Sequence, residues 1–170
     1  MQAKLKIMMN ANLAILIRIL AVVGATFNVV SCQTNLRIPH RYLIPDRYVG
    51  WVRIDFEVRG TTEINLENGF RVFRIPENGN LQTSSKLTYG VALDEYYYDI
   101  GNDLRKLPHT GFGKGGMIWA GFNGSRTEGQ TTQIYEYFFV GTEEQFERFG
   151  KPDLSAGGRP NVGNIRAPEL

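Results

Sequence analysis

The chain has 170 residues, a formal charge of +2 and one cysteine. That length suits one domain of ordinary size. A single cysteine excludes an internal disulfide framework, a zinc ribbon and any CxxC redox motif. The hydrophobic fraction of 42% and aromatic fraction of 12% fit a packed core rather than a disordered chain. The charge is unevenly spread. Lys4, Lys6 and Arg18 carry +3 in residues 1–32, while the remainder holds 16 basic and 17 acidic residues, a net −1. The basic balance therefore gives no support for nucleic-acid binding, and none is expected.

The amino-terminal segment begins with lysines and no acid, and Leu13 to Val30 is nearly continuous apolar sequence interrupted by Arg18. Residues up to Arg18 read as a positive n-region and Ile19–Phe27 as the apolar h-region of a secretory signal. Val29-Val30-Ser31-Cys32 follows directly. A branched apolar residue, then Val, Ser and Cys, resembles the lipobox of bacterial lipoprotein signal peptides. The resemblance implies cleavage by signal peptidase II before Cys32, recognition through Val29, Val30 and Ser31, and acylation of the Cys32 thiol. Each buried acyl CH₂ contributes about 0.8 kcal/mol, so several chains anchor far better than one. Two alternatives stay open: an uncleaved membrane helix, disfavoured by Arg18 and marginal length, and cleavage by another peptidase that leaves Cys32 a free thiol. The resemblance places the protein in the bacterial envelope, with Gln33 after the cysteine favouring the outer membrane or cell surface.

Residues 32–47 read as a lipidated amino terminus and tether, with Tyr42-Leu43-Ile44 as an edge strand at most. The folded domain is expected over 48–150. Tyr48–Val58 alternates, with Val52, Ile54, Phe56 and Val58 on one face and Trp51, Arg53, Asp55 and Glu57 on the other, the pattern of a half-buried strand. Phe70–Ile75 is apolar on both faces and more central. Pro76-Glu77-Asn78-Gly79-Asn80 reads as a hairpin turn, with Leu81–Ser85 returning. Glu95–Tyr98, Leu104–Leu107, Met117–Phe122 and Thr132–Val140 complete the strands, the last two joined by the polar segment 123–131. Short strands separated by turn signals predict an all-β fold, a mainly antiparallel sandwich or barrel.

One short carboxy-terminal helix is expected. Thr142-Glu143-Glu144-Gln145 forms a capping box, Phe146 and Phe149 share a face, and Gly150 with Pro152 stops the helix. Residues 151–170 read as a flexible Gly/Pro-rich tail.

Motifs for chemistry are sparse. Gly111-Phe112-Gly113-Lys114-Gly115-Gly116 matches GxGxxG, but no helix pattern follows it, so it reads as a loop entering a strand and no cofactor is implied. His40 falls in the tether and His109 in a solvent-facing loop. No metal-ligand spacing exists and no metal is expected. Asp94, Glu95, Asp99 and Asp103 gather near a turn without the EF-hand pattern. No catalytic residue is assigned. Aromatic side chains are the most distinctive feature, with a core role weighed against ligand contact by Trp51, Tyr96, Tyr98, His109 and Trp119.

The run Ile44–Ile54, the segments Gly79–Ser85 and Asp94–Tyr98, and Tyr137-Phe138-Phe139-Val140-Gly141-Thr142 are similar to an uncharacterised bacterial lipoprotein family of unknown function, over residues 44–150. The resemblance implies no activity. The expectation is a lipid-anchored, non-catalytic binding or interaction module whose partner is an envelope protein or small ligand; the alternatives are an envelope hydrolase and an oligomerising structural component. A pocket joining His109 to a buried carboxylate would favour the hydrolase, a groove lined by Trp51 or the tyrosine run a ligand, and a flat apolar patch assembly.

Overall fold

The structure is a computed structural model that describes residues 35–110, 113–150 and 152. The domain is all-β with one short helix, as the alternation and turn signals predict. In chain order its strands are β1 (His40–Pro45), β2 (Gly50–Phe56), β3 (Asn65–Glu67), β4 (Phe70–Arg74), β5 (Asn80–Gln82), β6 (Glu95–Asp99), β7 (Leu104–Lys106), β8 (Ile118–Glu128) and β9 (Thr131–Val140), followed by α1 (Glu143–Phe149). They form a five-stranded sheet, β3-β4-β1-β6-β7, and a four-stranded sheet, β5-β2-β9-β8.

The two sheets share one core. Tyr42, Ile44, Phe73, Tyr96 and Tyr98 from the first meet Val52, Ile54, Phe56, Phe138 and Val140 from the second. Burying each such side chain contributes about 1.5–3 kcal/mol. Tyr42 lies at the centre, stacked on Tyr96 at 4.7 Å and on Phe73 at 5.1 Å, with Phe138 edge-on at 5.1 Å. The outer face of the five-stranded sheet carries a polar ladder in which Glu95 takes Arg41 and Lys106, and the Arg41 guanidinium lies 4.0 Å over the Phe70 ring.

Both sheets are mixed. β1 pairs in parallel with β4 and β6, and β2 in parallel with β5, whereas β2–β9, β3–β4, β6–β7 and β8–β9 are antiparallel. Two sequence expectations are corrected here. The segment around Tyr42 is the middle strand of its sheet, not an edge or tether, because Pro39 and Pro45 flank it and leave its interior amides free to pair on both sides. His40 is accordingly buried. Leu81 does not return beside β4. The turn at Gly79 (φ 70°) carries the chain across to the other sheet, where β5 pairs with β2.

A third correction concerns β2, which is buried on both faces. Its second face is covered by the helix. The Thr142 side chain accepts from the Gln145 amide while the Gln145 side chain accepts from the Thr142 amide, which fixes the start of α1. Phe146 then packs on Trp51, Trp119 and Phe139, and Phe149 on Phe139. The Trp51 indole donates to the Gly150 carbonyl at 3.1 Å. Further along the same face Arg53 and Asp55 form a buried ion pair at 2.7 Å, with Tyr135 and Tyr137 rings 5.4 Å from the guanidinium. The polar residues of the alternation thus face a second apolar layer. Finally, β8 and β9 extend as one long hairpin through the segment read as a polar linker.

Trp51→Ala removes the anchor for α1. We expect a loss of about 3–5 kcal/mol, the usual cost of a buried aromatic truncation, with collapse of the near-ultraviolet circular dichroism band. Urea denaturation measures it; a change below 1 kcal/mol, the outcome for a solvent-facing tryptophan, would contradict this packing.

Candidate functional site

The alternation of β9 puts Ile134, Glu136, Phe138 and Val140 on the face that meets the other sheet, opposite Phe56, Ile54, Val52 and Gly50. Glu136 is therefore a carboxyl group on an otherwise apolar face. Across the core, the Tyr42 hydroxyl donates to its Oε1 at 2.9 Å. Behind Tyr42, His40 Nδ1 lies 3.1 Å from the hydroxyl, and His40 Nε2 lies 3.3 Å from Thr88 Oγ1. Arg71 donates to that threonine oxygen at 3.1 Å.

One proton arrangement satisfies every link. Arg71 donates to Thr88, Thr88 to His40 Nε2, His40 Nδ1–H to Tyr42, and Tyr42 to Glu136. The tautomer follows from the network rather than from hydrogen positions. Each donor points towards the carboxyl group, so the chain ends on it. Glu136 Oε2 has no partner among the described residues, where the one fully enclosed side-chain polar atom left unpaired is Asn80 Oδ1. Glu136 lines a hollow together with Tyr96, His109, Ala120 and Asn123, a space of about 260 Å³.

This hollow opens at a defect in β8. Trp119 pairs with Phe139 and Phe122 with Tyr137, so two residues of β8, Ala120 and Gly121, oppose one of β9, Phe138. The extra residue is a β-bulge, and Ala120 within it takes φ 50°, a conformation that costs a non-glycine residue about 1 kcal/mol or more. The Trp119 ring is held by a hydrogen bond from its indole nitrogen to the Gly141 carbonyl at 2.8 Å. Gly113 packs so closely on that ring that an added Cβ would lie 2.3 Å from it. Gly113 therefore cradles an indole, and the described residues that follow enter β8 rather than the helix a dinucleotide site needs.

Burial governs the protonation of this group. Loss of water pushes the Glu136 carboxyl up to about 7, and the nearby Asp94 charge adds to the effect, although the Tyr42 hydrogen bond opposes it. Burial and the neighbouring Arg37 hold His40 down to about 4, so it is neutral at physiological pH. Burial also lowers His109. Tyr42, fully enclosed and facing Glu136, stays protonated far above the usual phenol range.

Of the sequence candidates, His109 and Tyr96 meet at this hollow, with ring centroids 4.8 Å apart. Trp119 reaches its edge. Trp51 and Tyr98 do not: Trp51 packs beneath α1, and Tyr98 lies in the core with its hydroxyl on the Tyr48 carbonyl at 2.8 Å. Cys32, Val29, Val30 and Ser31 lie outside the described residues. The acidic cluster disperses: Asp94 takes Arg37 and the His40 amide, Glu95 takes Arg41 and Lys106, and Asp99 and Asp103 accept from the nearby Gly101 and Leu104 amides. Glu136, His40 and Tyr42 were not singled out by motif. The available signal was an acidic residue at an inward position of a strand whose neighbours two residues away, Ile134 and Phe138, are apolar.

Stability should report Glu136. Its folded pKa is raised, so the protein loses stability as pH rises from 4.5 through about 7. At roughly 1.4 kcal/mol per unit, the loss is about 3 kcal/mol. His40 acts in the opposite direction, its contribution lost as pH falls from 6.5 towards 4. Glu136→Gln should abolish the alkaline loss and leave the acid limb unchanged. Urea unfolding at pH 5, 6.5 and 8 measures both; parallel curves for wild type and variant would exclude a perturbed carboxyl.

Comparisons with known proteins agree with this architecture. A crystal structure at 2.75 Å of "Putative Lipoprotein from Bacillus anthracis" aligns at a TM-score of 0.55 and 24% identity, covering 66% of this chain and 76% of that one. At that identity the likeness speaks for the fold. No curated protein matches. A family model described as a family of unknown function, DUF6843, matches residues 37–149, a span that starts before β1 and ends with α1. The chain belongs to that family of unknown function.

Proposed function

We propose that this chain is an exported lipoprotein of the bacterial envelope, anchored by diacylglycerol on Cys32, whose domain binds a small ligand at the Glu136 hollow. The observation that carries the binding role is a carboxyl group that lines a small hollow, with one oxygen held by Tyr42 and the other without a partner among the described residues. Such a group favours a ligand with a strong hydrogen-bond donor, above all a protonated amine, because the cation restores the charge balance that burial denies the carboxylate. The space suits a headgroup-sized molecule rather than a polymer. The Tyr96 and His109 rings supply a partly apolar wall. The lipid anchor is supported by the apolar segment and the Val29–Cys32 motif, and the structural neighbour carries a lipoprotein name.

A second reading, an acid–base hydrolase, is favoured by His109 and Glu136 lining the same hollow. A carboxyl group near pKa 7 is matched to proton transfer at neutral pH. In that case the hollow would hold substrate and water, and turnover would fall on either side of neutrality.

Two measurements test the proposal. Mass spectrometry of the mature protein should find an acylated Cys32 as its first residue, and Cys32→Ala should abolish lipidation; an unmodified wild-type cysteine removes the anchor. In NMR titrations with ethanolamine, the amides of Asn123 and Glu136 should shift. Affinity should rise with pH through about 7, because the carboxylate is the binding form and Glu136 titrates there. Glu136→Gln should lose the response. A pH-independent response equal in both proteins would overturn a carboxylate site.

A further inference from the structure

Large apolar side chains cluster on one exposed part of the domain. Leu36 is 76% exposed, Val91 60% and Leu93 89%. They are not loose ends. Leu36 and Val91 form a parallel bridge, with the Arg37 amide on the Val91 carbonyl at 3.3 Å and the Val91 amide on the Asn35 carbonyl at 2.8 Å. Gly90 is required beside this pairing, since at φ 138° an added Cβ would lie 2.5 Å from the Asn35 carbonyl oxygen. Arg37 is clamped by both Asp94 oxygens. The backbone therefore holds the apolar residues out in fixed positions. Together with Phe70 they edge a broad hollow of about 1180 Å³.

Keeping three aliphatic groups in water costs free energy that a polar surface would avoid. Two further observations bear on what covers them. First, Leu36 lies four residues after Cys32. At no more than about 3.6 Å per residue, its Cα lies within about 14 Å of the cysteine whatever path the chain takes. Second, the acids that line this hollow, Asp94 and Glu95, are taken up by Arg37 and by Arg41 and Lys106. Arg71 donates to the Lys86 carbonyl and to Thr88, next to the 67% exposed Tyr89. Among the described residues, neither Arg71 nor Lys86 forms a salt bridge. Paired acids, two cations outside any salt bridge and aliphatic and tyrosine side chains suit an anionic bilayer interface, which attracts each cation with about 1 kcal/mol.

We propose that the Leu36–Val91–Leu93 face is a membrane-contact surface that seats the domain on the anionic bilayer holding its own lipid. It rests on the proposed anchor for its location but has its own affinity. The lipid supplies a high local concentration, and the face then sets the orientation. A free-tumbling domain on a flexible tether would not require fixed apolar side chains beside the attachment point.

The test separates the face from the anchor. The chain from residue 32 onward, with Cys32→Ser, is mixed with vesicles of equal parts phosphatidylglycerol and phosphatidylethanolamine and sedimented. Weak binding is expected, with Leu36→Glu plus Leu93→Glu lowering the partition coefficient at least tenfold, an effect of roughly the size of one lost buried leucine. Both positions are exposed, so circular dichroism should show the variant folded. Equal partitioning of parent and variant overturns the proposal. So does a monomer–dimer equilibrium abolished by the variant with no vesicle binding in the parent, which assigns the face to a second copy. Loss of the anchor would instead appear in the mass of the wild-type amino terminus, independently of these outcomes.

Discussion

A carboxyl group cannot sit between two packed sheets without a partner, and the partner chosen for Glu136 organises much of this domain. Desolvation penalises its ionised form by several kcal/mol, and one phenol hydrogen bond from Tyr42 offsets only part of that. The phenol must come from the opposite sheet, because the flanking inward residues of β9 are apolar. This places a large polar aromatic on β1, and β1 must be central so that Tyr96 and Phe73 can enclose its ring. The hydroxyl then requires a neighbour on its other side. His40, two residues earlier on the same strand, meets that need and passes the requirement on to Thr88 and Arg71. A single acidic side chain thus accounts for a polar path across the five-stranded sheet.

The bulge lies beside the same carboxyl group. The ladder is regular at Glu136, which pairs with Asn123, and its irregularity lies one step away, opposite Phe138, where β8 lines the hollow. The extra residue between Trp119 and Phe122 breaks that register, and Ala120 bears the backbone strain. Strain of this kind persists only where surrounding packing over-determines it. Here the Trp119 indole is fixed by Gly141, Gly113 and Phe146. The helix, though packed on the other side of the four-stranded sheet from the inner core, therefore stabilises the mouth of the hollow.

Legibility in the sequence followed the range of the interactions. The helix was readable because its capping box, paired phenylalanines and terminal glycine all act within nine residues. The strand around Val52 was readable from period two, but its second face was not. Trp51, Arg53 and Asp55 look like a solvent face until Phe146 and Tyr137, nearly ninety residues away, cover them. Pro39 and Pro45 made β1 look peripheral, yet prolines at both ends leave a strand's centre unaffected. The hairpin expected at Asn78-Gly79 failed because a turn fixes local geometry and not which sheet receives the next strand. Glu136 was visible as an acid among inward apolar positions, but the identity of its partner is a non-local fact that periodicity does not carry.

The hollow and the proposed membrane face share a wall, since Tyr96 and His109 line both the Glu136 space and the broad apolar depression beside Leu36. If the bilayer seats the domain there, the carboxyl group lies near a medium of low dielectric constant. Its ionised form then becomes costlier still, and a cationic headgroup or amine drawn to the anionic interface becomes a better partner than bulk solvent. The binding equilibrium would release a proton on the ligand's arrival, because the free site is protonated near neutrality and the occupied one is ionised. Affinity for the ligand and attachment to the membrane are then coupled through one residue: anything that lifts the domain from the surface lets water back to Glu136, lowers its pKa, and removes part of the proton release on binding.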